Sequence, residues 1–401
     1  MTQRTRRISL VLTTGLLIAL VLAALRGSYV MQALELKTLD FRFRALHDPA
    51  RADTSVVIFD VDDLSLDLLR SAVGRWPWPR DVWAMVLQYA SAAGARVVAF
   101  DITFPDPDLA NPGADSAFAA AVASAGFVVH ALSFQRVHDS AAVSRLARFR
   151  EDTAALALLA SRFSLPVESL PAGENAFELA QHPVRPVLAG ARAAGSVNFT
   201  PDPVDGTARR VPLLYQFRGA VFPALGLAAA LAADSARLLG CGRAPVWSQS
   251  ALRLCDVAVP LDRGTMLVNW KGPYRDPARR RETYRIYPVA QILNSFEQLS
   301  RGETPEVPLE ALRGKVVFVG ASGAGLFEAR ANPFGPAEPG VLIHATVTDN
   351  LLRGDFLTRA SPPANLAALL LTSLLAAAAV ALLSSAAAAG AAGLGIAAAY
   401  L

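Results

Sequence analysis

Val56-Val57-Ile58-Phe59-Asp60-Val61 is a short apolar run of strand character, and a second such run follows at Val97-Val98-Ala99-Phe100-Asp101-Ile102. Between them Pro79-Arg80 opens a helical pattern through Trp83, Val86, Leu87 and Ala90, which Gly94 closes. Strand, helix and strand in this order make a βαβ unit with parallel strands, because crossover helices cover such a sheet on both faces.

The pattern extends outward from this unit. A helix is expected at Ser116 to Ala123 and a strand at Phe127 to Leu132. Further strands are expected at Gly195 to Phe199, Arg210 to Phe217, Thr265 to Trp270 and Lys315 to Val319. Helices are expected at Pro223 to Ala232, Pro288 to Phe296 and Val341 to Leu352. Asp139 to Pro186 is less regular and reads as a lobe or lid. The fold class is therefore α/β, with a mostly parallel central sheet flanked by helices. No internal repeat is present.

Both ends are different in kind. Hydrophobic residues make up 53% of the 401 residues, and they concentrate at the termini. Ile8 to Leu25 carries no charge and follows Arg4, Arg6 and Arg7. Its length and the poor cleavage site at Ala24-Leu25-Arg26-Gly27 favour an uncleaved anchor over a signal peptide. The basic flank places the N-terminus in the cytoplasm. Tyr29 to Leu46 keeps a helical pattern and is expected to continue the anchor as a stalk. Leu366 to Leu401 is uncharged, longer than the roughly 20 residues that cross a bilayer. Ser384-Ser385 marks a turn between two membrane helices there, and the stretch is expected to be part of a longer product. The organisation expected is a tail and anchor over residues 1–26, a stalk over 27–50, an exported domain over 51–362 and a membrane hairpin over 363–401.

The formal charge of +4 comes from dispersed arginines, and Arg279-Arg280-Arg281 reads as a solvated face. Without aromatic interleaving or a recognisable motif it does not indicate nucleic-acid binding. The only cysteines, Cys241 and Cys255, are either two buried thiols or, in an oxidising compartment, a disulfide. The intervening Pro245 to Gln249 segment reads as a loop that lets them meet.

Candidate site residues fall in three groups. Asp60, Asp62, Asp63 and Asp101 are expected at the carboxyl ends of two adjacent parallel strands, where α/β sheets bind ligands. They can hold a cation or cationic ligand there, or simply cap helices and order loops. Trp76-Pro77-Trp78-Pro79-Arg80 reads as an aromatic pocket with cation–π character or as a wedge onto the sheet. Arg80 is the local cation expected to offset the carboxylates. Gly320-Ala321-Ser322-Gly323-Ala324-Gly325 can present backbone N–H groups to an anion, but lacks the ending of a nucleotide loop. Asp202-Pro203-Val204-Asp205-Gly206, followed by Arg209, is a turn without the ligand series of a calcium loop. The histidines, His344 among them, show no zinc spacing, and no metal or cofactor is identified.

These residues together resemble the CHASE domains of the second type, the extracellular sensory domains of cyclases and histidine kinases. The resemblance rests on Leu39-Asp40-Phe41-Arg42, Phe59 to Ser65, Arg75 to Arg80 and Ala99 to Phe104. It continues through Asn198, Asp202, Asp205-Gly206 and Arg209 to Val319 to Ser322, Gly325-Leu326-Phe327 and Pro339-Gly340-Val341 with His344-Ala345. Glu328 stands where the family usually has Asp, and Thr346 where Asn is common.

The resemblance implies a non-enzymatic sensor in the bacterial cytoplasmic membrane, its main domain on the periplasmic or extracellular side. It implies a cytoplasmic output, a class III nucleotide cyclase or a kinase, whose signatures are absent from these residues. Such outputs work as dimers, so a homodimer is expected, with an unidentified small-molecule or ionic ligand. The alternatives from other classes are an exported hydrolase, for which no nucleophile–base pair is evident, and an envelope partner-binding protein.

Overall fold

In the computed structural model the central sheet is built from Val56–Val61 (β1), Val97–Phe100 (β2), Val128–Gln135 (β3), Leu179–Gln181 (β4), Ala193–Ser196 (β5), Arg285–Pro288 (β6) and Val316–Ala321 (β7). The structure describes residues 3–25, 27–136, 152–167, 170, 176–276, 281–326 and 329–382. The chain forms two units: residues 47–202 with 206–357, and residues 1–46 with 203–205 and 358–401.

In the larger unit the strands run in the order β6-β1-β7-β2-β3-β4, with β5 also paired to β3. Every pairing is parallel except β3 with β4. All of β1 and β2 is buried, as expected of strands covered on both faces. The crossover helix Arg80–Ala92 buries Val82, Trp83, Val86, Leu87 and Ala90, and Gly94 takes the left-handed conformation that turns the chain into β2.

β1 and β2 are not neighbours, because β7 lies between them, pairing Val316 with both Val56 and Val97. Neighbours in a βαβ unit can leave a place in the sheet, and the uniformly apolar Val316-Val317-Phe318-Val319 fills it. The expected lobe is also partly absorbed into the sheet through β4. Of the rest of that stretch, Thr153–Leu158 and Arg185–Gly190 are helical, and residues 137–151, 168–169 and 171–175 lie outside the described residues. The edge strand β6 was not expected from sequence, since Arg285-Ile286-Tyr287-Pro288 lacks an apolar run.

The Val341–Arg353 helix is buried from Val341 through Leu351. It lies close to β7 and to the Leu225–Ala233 helix because Gly320 and Gly226 carry no side chain. A Cβ at Gly320 would stand 2.6 Å from Val341 Cβ, and one at Gly226 2.7 Å from the His344 carbonyl oxygen.

Cys241 and Cys255 are joined by a disulfide, their Cα atoms 5.6 Å apart. The segment between them is more ordered than a loop: Val246–Trp247 pairs antiparallel with Ala251–Leu254.

In the smaller unit, helix Gln3–Leu25 packs on helix Pro362–Leu382, and a Cβ at Gly15 would lie 3.0 Å from Ala377 Cβ. Pro362–Ala379, with mean hydropathy 1.5, is long and apolar enough to cross a membrane. Val11–Leu25 and Tyr29–Leu46 together make a second candidate span, bent by 95°. The stalk is thus a separate helix rather than a straight continuation, the break falling at Gly27-Ser28, where glycine disfavours helix. The second membrane helix expected after Ser384-Ser385 lies outside the described residues.

Candidate functional site

Carboxyl ends of parallel strands point their following loops to one edge of the sheet, and here that edge carries a cleft of about 1060 Å³. Asp101 after β2, Phe134 in β3, Asn198 after β5 and Ala321 in β7 all line it. Asp101 is the carboxylate at the strand end of this cleft, which Asp106 and Asp108 also line. Its Oδ1 lies 3.6 Å from Nε2 of His344, in the first turn of the Val341–Arg353 helix. Burial pushes the Asp101 carboxyl up to about 7, against the opposing pull of the Arg330 guanidinium. Burial pushes His344 down to about 4, and Arg330 adds to that effect. At neutral pH His344 is therefore an uncharged imidazole beside a carboxyl that readily holds a proton. Arg330 lies over the Phe199 ring, 4.4 Å from its centroid.

Trp76, Trp78 and Arg80 also line the cleft, but the last two serve the core. Trp78 is 1% exposed, and its ring meets those of Trp76 and Trp83 at 5.4 and 5.8 Å. Trp83 continues the cluster to Phe100 and Phe104. Arg80 does not offset Asp60 or Asp101, as the sequence reading expected. It stands 3.6 Å from Asp115, donates to the Asp106 carbonyl at 3.0 Å, and lies over Phe104 at 4.9 Å. Its cation–π partner is thus a phenylalanine rather than either tryptophan.

The other aspartates form a separate cluster around β1. Asp60 is fully buried; Ser322 Oγ donates to its Oδ2 at 2.6 Å, and Arg275 reaches the same oxygen at 3.2 Å. Asp62 caps the helix Asp63–Leu69, accepting from Ser65 N at 2.9 Å, and lies 3.8 Å from Arg275. Asp63 accepts from the Ala324 backbone N–H at 2.7 Å. The glycine-rich loop after β7 therefore does present an N–H to an anion, and that anion is the protein's own carboxylate. Because β7 intervenes, the structure does not join Asp60, Asp62 and Asp63 with Asp101 in one site.

Two further candidates lie elsewhere. Asp205 sits at the tip of the Asp202–Gly206 turn, closed by a 2.7 Å hydrogen bond from Gly206 N to Asp202 O, and groups with the helices of the smaller unit, 3.4 Å from Lys37. Glu328, Arg279 and Arg280 lie outside the described residues.

Sequence reasoning missed both arginines that face the carboxylates. Arg330 and Arg275 lie on short irregular hairpins, at Arg330–Asn332 and Arg275–Asp276, and no local pattern connects them to strands far away in the chain. It also missed His130, a fully buried imidazole stacked on Phe100 at 5.4 Å and pushed down to about 3 by burial.

Among curated proteins and solved structures no match is found. The family profile of the CHASE2 domain, by contrast, matches residues 15–383, which span the cleft, the aspartate cluster and the flanking helices. The chain belongs to the CHASE2 family of sensory domains.

Proposed function

We propose that the chain is the signal-input part of a membrane-bound receptor, its larger unit outside the cytoplasmic membrane and its output, a class III cyclase or kinase, in the cytoplasm beyond these residues. The observation that carries the sensing role is the meeting of Asp101, His344 and Arg330 in one open cleft at the head of a buried helix. The far end of that helix bonds the segment where the chain comes into the same domain, so it connects a ligand-sized cleft with that segment. A ligand that favours one arrangement of the cleft residues shifts the population of that helix's positions, and with it the emerging chain. Homodimerisation belongs to this reading because such outputs work in pairs.

Membrane placement is supported by the uncharged Pro362–Leu382 helix and by the exposed apolar side chains of Leu12, Leu16, Leu17 and Leu20. The disulfide suits an oxidising compartment. Alkaline phosphatase fused after Asp205 is expected to be active in cells, and a cytoplasmic reporter at the same point silent. The reverse pattern would overturn the topology.

A further inference from the structure

The inner end of the cleft favours negative charge from three directions. The Arg330 guanidinium lies 4.4 Å over the Phe199 ring and acts on both Asp101 and His344. The Val341–Arg353 helix starts there, since Gly340, Ile343 and His344 line the cleft, and a helix N-terminus carries positive partial charge. His344 is 4% exposed, and its Nδ1 is buried without a hydrogen-bond partner. An unmet acceptor is better tolerated than an unmet N–H, so the ring proton belongs on Nε2, on the side of Asp101. At 3.6 Å that nitrogen is too far from Asp101 Oδ1 for a hydrogen bond. Guanidinium, imidazole N–H and carboxyl O–H are all donors.

The rest of the cleft is different in character. Trp76, Phe134, Val197, Phe199, Leu326 and Ile343 give it apolar walls. The other acidic side chains lie on a rim loop. Asp106 is exposed there, and Asp108 Oδ1 accepts from the Ala110 and Asn111 backbone N–H groups at 3.2 and 2.9 Å. Arg80, the other cation of the cleft, is held by Asp115 and by the Asp106 carbonyl. One negative group on an apolar body fits this distribution, whereas a second negative group would meet the rim carboxylates.

We infer that the cleft binds a small monocarboxylate with an aromatic or branched apolar body, its carboxylate accepting from Arg330 and His344 and its body resting against Trp76 and Phe199. This names the ligand class of the sensing cleft and rests on that cleft being the receptor's binding site. Asp101 sets when such a ligand enters. While it holds its proton it is one more donor, and once ionised it repels the incoming carboxylate. The charged groups around it are the Arg330 cation, His344, pushed down to about 4, and Asp106 and Asp108 on the rim. Glu338, opposite Arg330 in the hairpin, accepts from the Tyr274 backbone N–H at 2.8 Å.

The experiment is calorimetric titration of the purified full chain with phenylacetate, phenylacetamide and phenethylamine, which share a phenyl ring and differ in the polar group. Charge-assisted hydrogen bonds are the stronger kind, so at about pH 6 phenylacetate is expected to bind about tenfold more tightly than either of the others. Its Kd should rise about tenfold between about pH 6 and about pH 8, as Asp101 gives up its proton, and Asp101→Asn should show no such change. Arg330→Gln should lose about tenfold in affinity for phenylacetate and keep its affinity for phenylacetamide. Tighter binding of phenethylamine or phenylacetamide overturns the proposal and leaves the cleft as a binding site. Binding of none of the three overturns it and also counts against the cleft as the binding site. Undiminished phenylacetate binding in Arg330→Gln overturns it as well. Should that variant not fold, a phenylacetate Kd that is the same at both pH values in the parent does so instead.

Discussion

Asp349 holds the backbone of Asp53: the N–H of Asp53 donates to Asp349 Oδ2 at 3.1 Å, joining the start of the larger unit to its last helix. The Tyr284 hydroxyl donates to the same oxygen at 2.8 Å. One residue on, the Asn350 side chain exchanges two hydrogen bonds with the Asn269 backbone, at 2.8 and 3.1 Å. Arg353 donates to the Arg51 carbonyl at 2.6 Å, and Lys271 pairs with Asp355 at 2.6 Å. A helix whose first turn carries His344 in the cleft therefore ends in a polar clamp on the incoming chain, while Lys271 holds the outgoing one at Asp355.

Asp349→Ala removes the acceptor while leaving Asp53 N–H and the Tyr284 hydroxyl in place. Buried groups left unpaired cost about 1–3 kcal/mol each, so a loss of roughly 2–4 kcal/mol is expected in denaturant unfolding of the full chain. Asp349→Asn, which keeps an acceptor oxygen, should lose less. Equal, small losses in both variants would show that the clamp contributes little.

The disulfide closes a short loop that already contains two paired strands. The chain-entropy model gives about 3 kcal/mol for a loop of this size. Denatured but unreduced protein from the cell envelope should take up no thiol reagent, and reduction should expose two thiols. Labelling of Cys241 and Cys255 before reduction would exclude the bridge in the cell.

The central strands were legible because they are short, apolar apart from Asp60 and bounded by helix signals, as Val56–Val61 and Val316–Ala321 show. Their spatial order was not, since nothing local in the Val316 run says that it lies between Val56 and Val97. That one insertion separated Asp60 from Asp101 and dissolved the single site that sequence suggested. Asp101 and His344 were visible as candidates through their position and through family resemblance. Arg330 and Arg275 were not, because an arginine on an irregular hairpin has no signature until the fold brings its guanidinium to a carboxylate. Trp76 and Trp78 were visible as either an aromatic pocket or a wedge onto the sheet; burial, a tertiary fact, puts Trp78 in the core and leaves Trp76 half-buried at the cleft.

Gly226→Ala sets local propensity against packing. Alanine favours helix over glycine by about 1 kcal/mol. Yet its Cβ would stand 2.7 Å from the His344 carbonyl oxygen and 2.9 Å from Val347 Cβ, too close without backbone movement. Overpacking of this kind costs typically about 1–3 kcal/mol, so net destabilisation is expected in thermal or denaturant unfolding. A variant as stable as the parent would mean that the Val341–Arg353 helix yields easily at its cleft end.

The Asp101–His344 pair gives stability a pH dependence with a definite sign. Asp101 has an ordinary value of 3.8 and a folded value of about 7. Between those limits the folded chain holds a proton that the unfolded chain releases, so this contribution is full below 3.8 and is lost as pH rises towards 7. His344 behaves oppositely, with an ordinary value of 6.5 and a folded value of about 4. Its contribution is full above 6.5 and is lost as pH falls towards 4, because only the unfolded chain then takes the proton. In the parent the two slopes oppose each other over most of this window. Asp101→Asn removes the first alone, so its stability relative to the parent should rise with pH from about 4 to 7, by at most about 1.4 kcal/mol per pH unit. His344→Gln removes the second alone, and its relative stability should fall with pH from about 4 to 6.5. Denaturant unfolding of parent and both variants across that range reads the slopes directly. Parallel profiles for parent and Asp101→Asn would mean that Asp101 ionises as an ordinary carboxylate and that the cleft holds no stored proton.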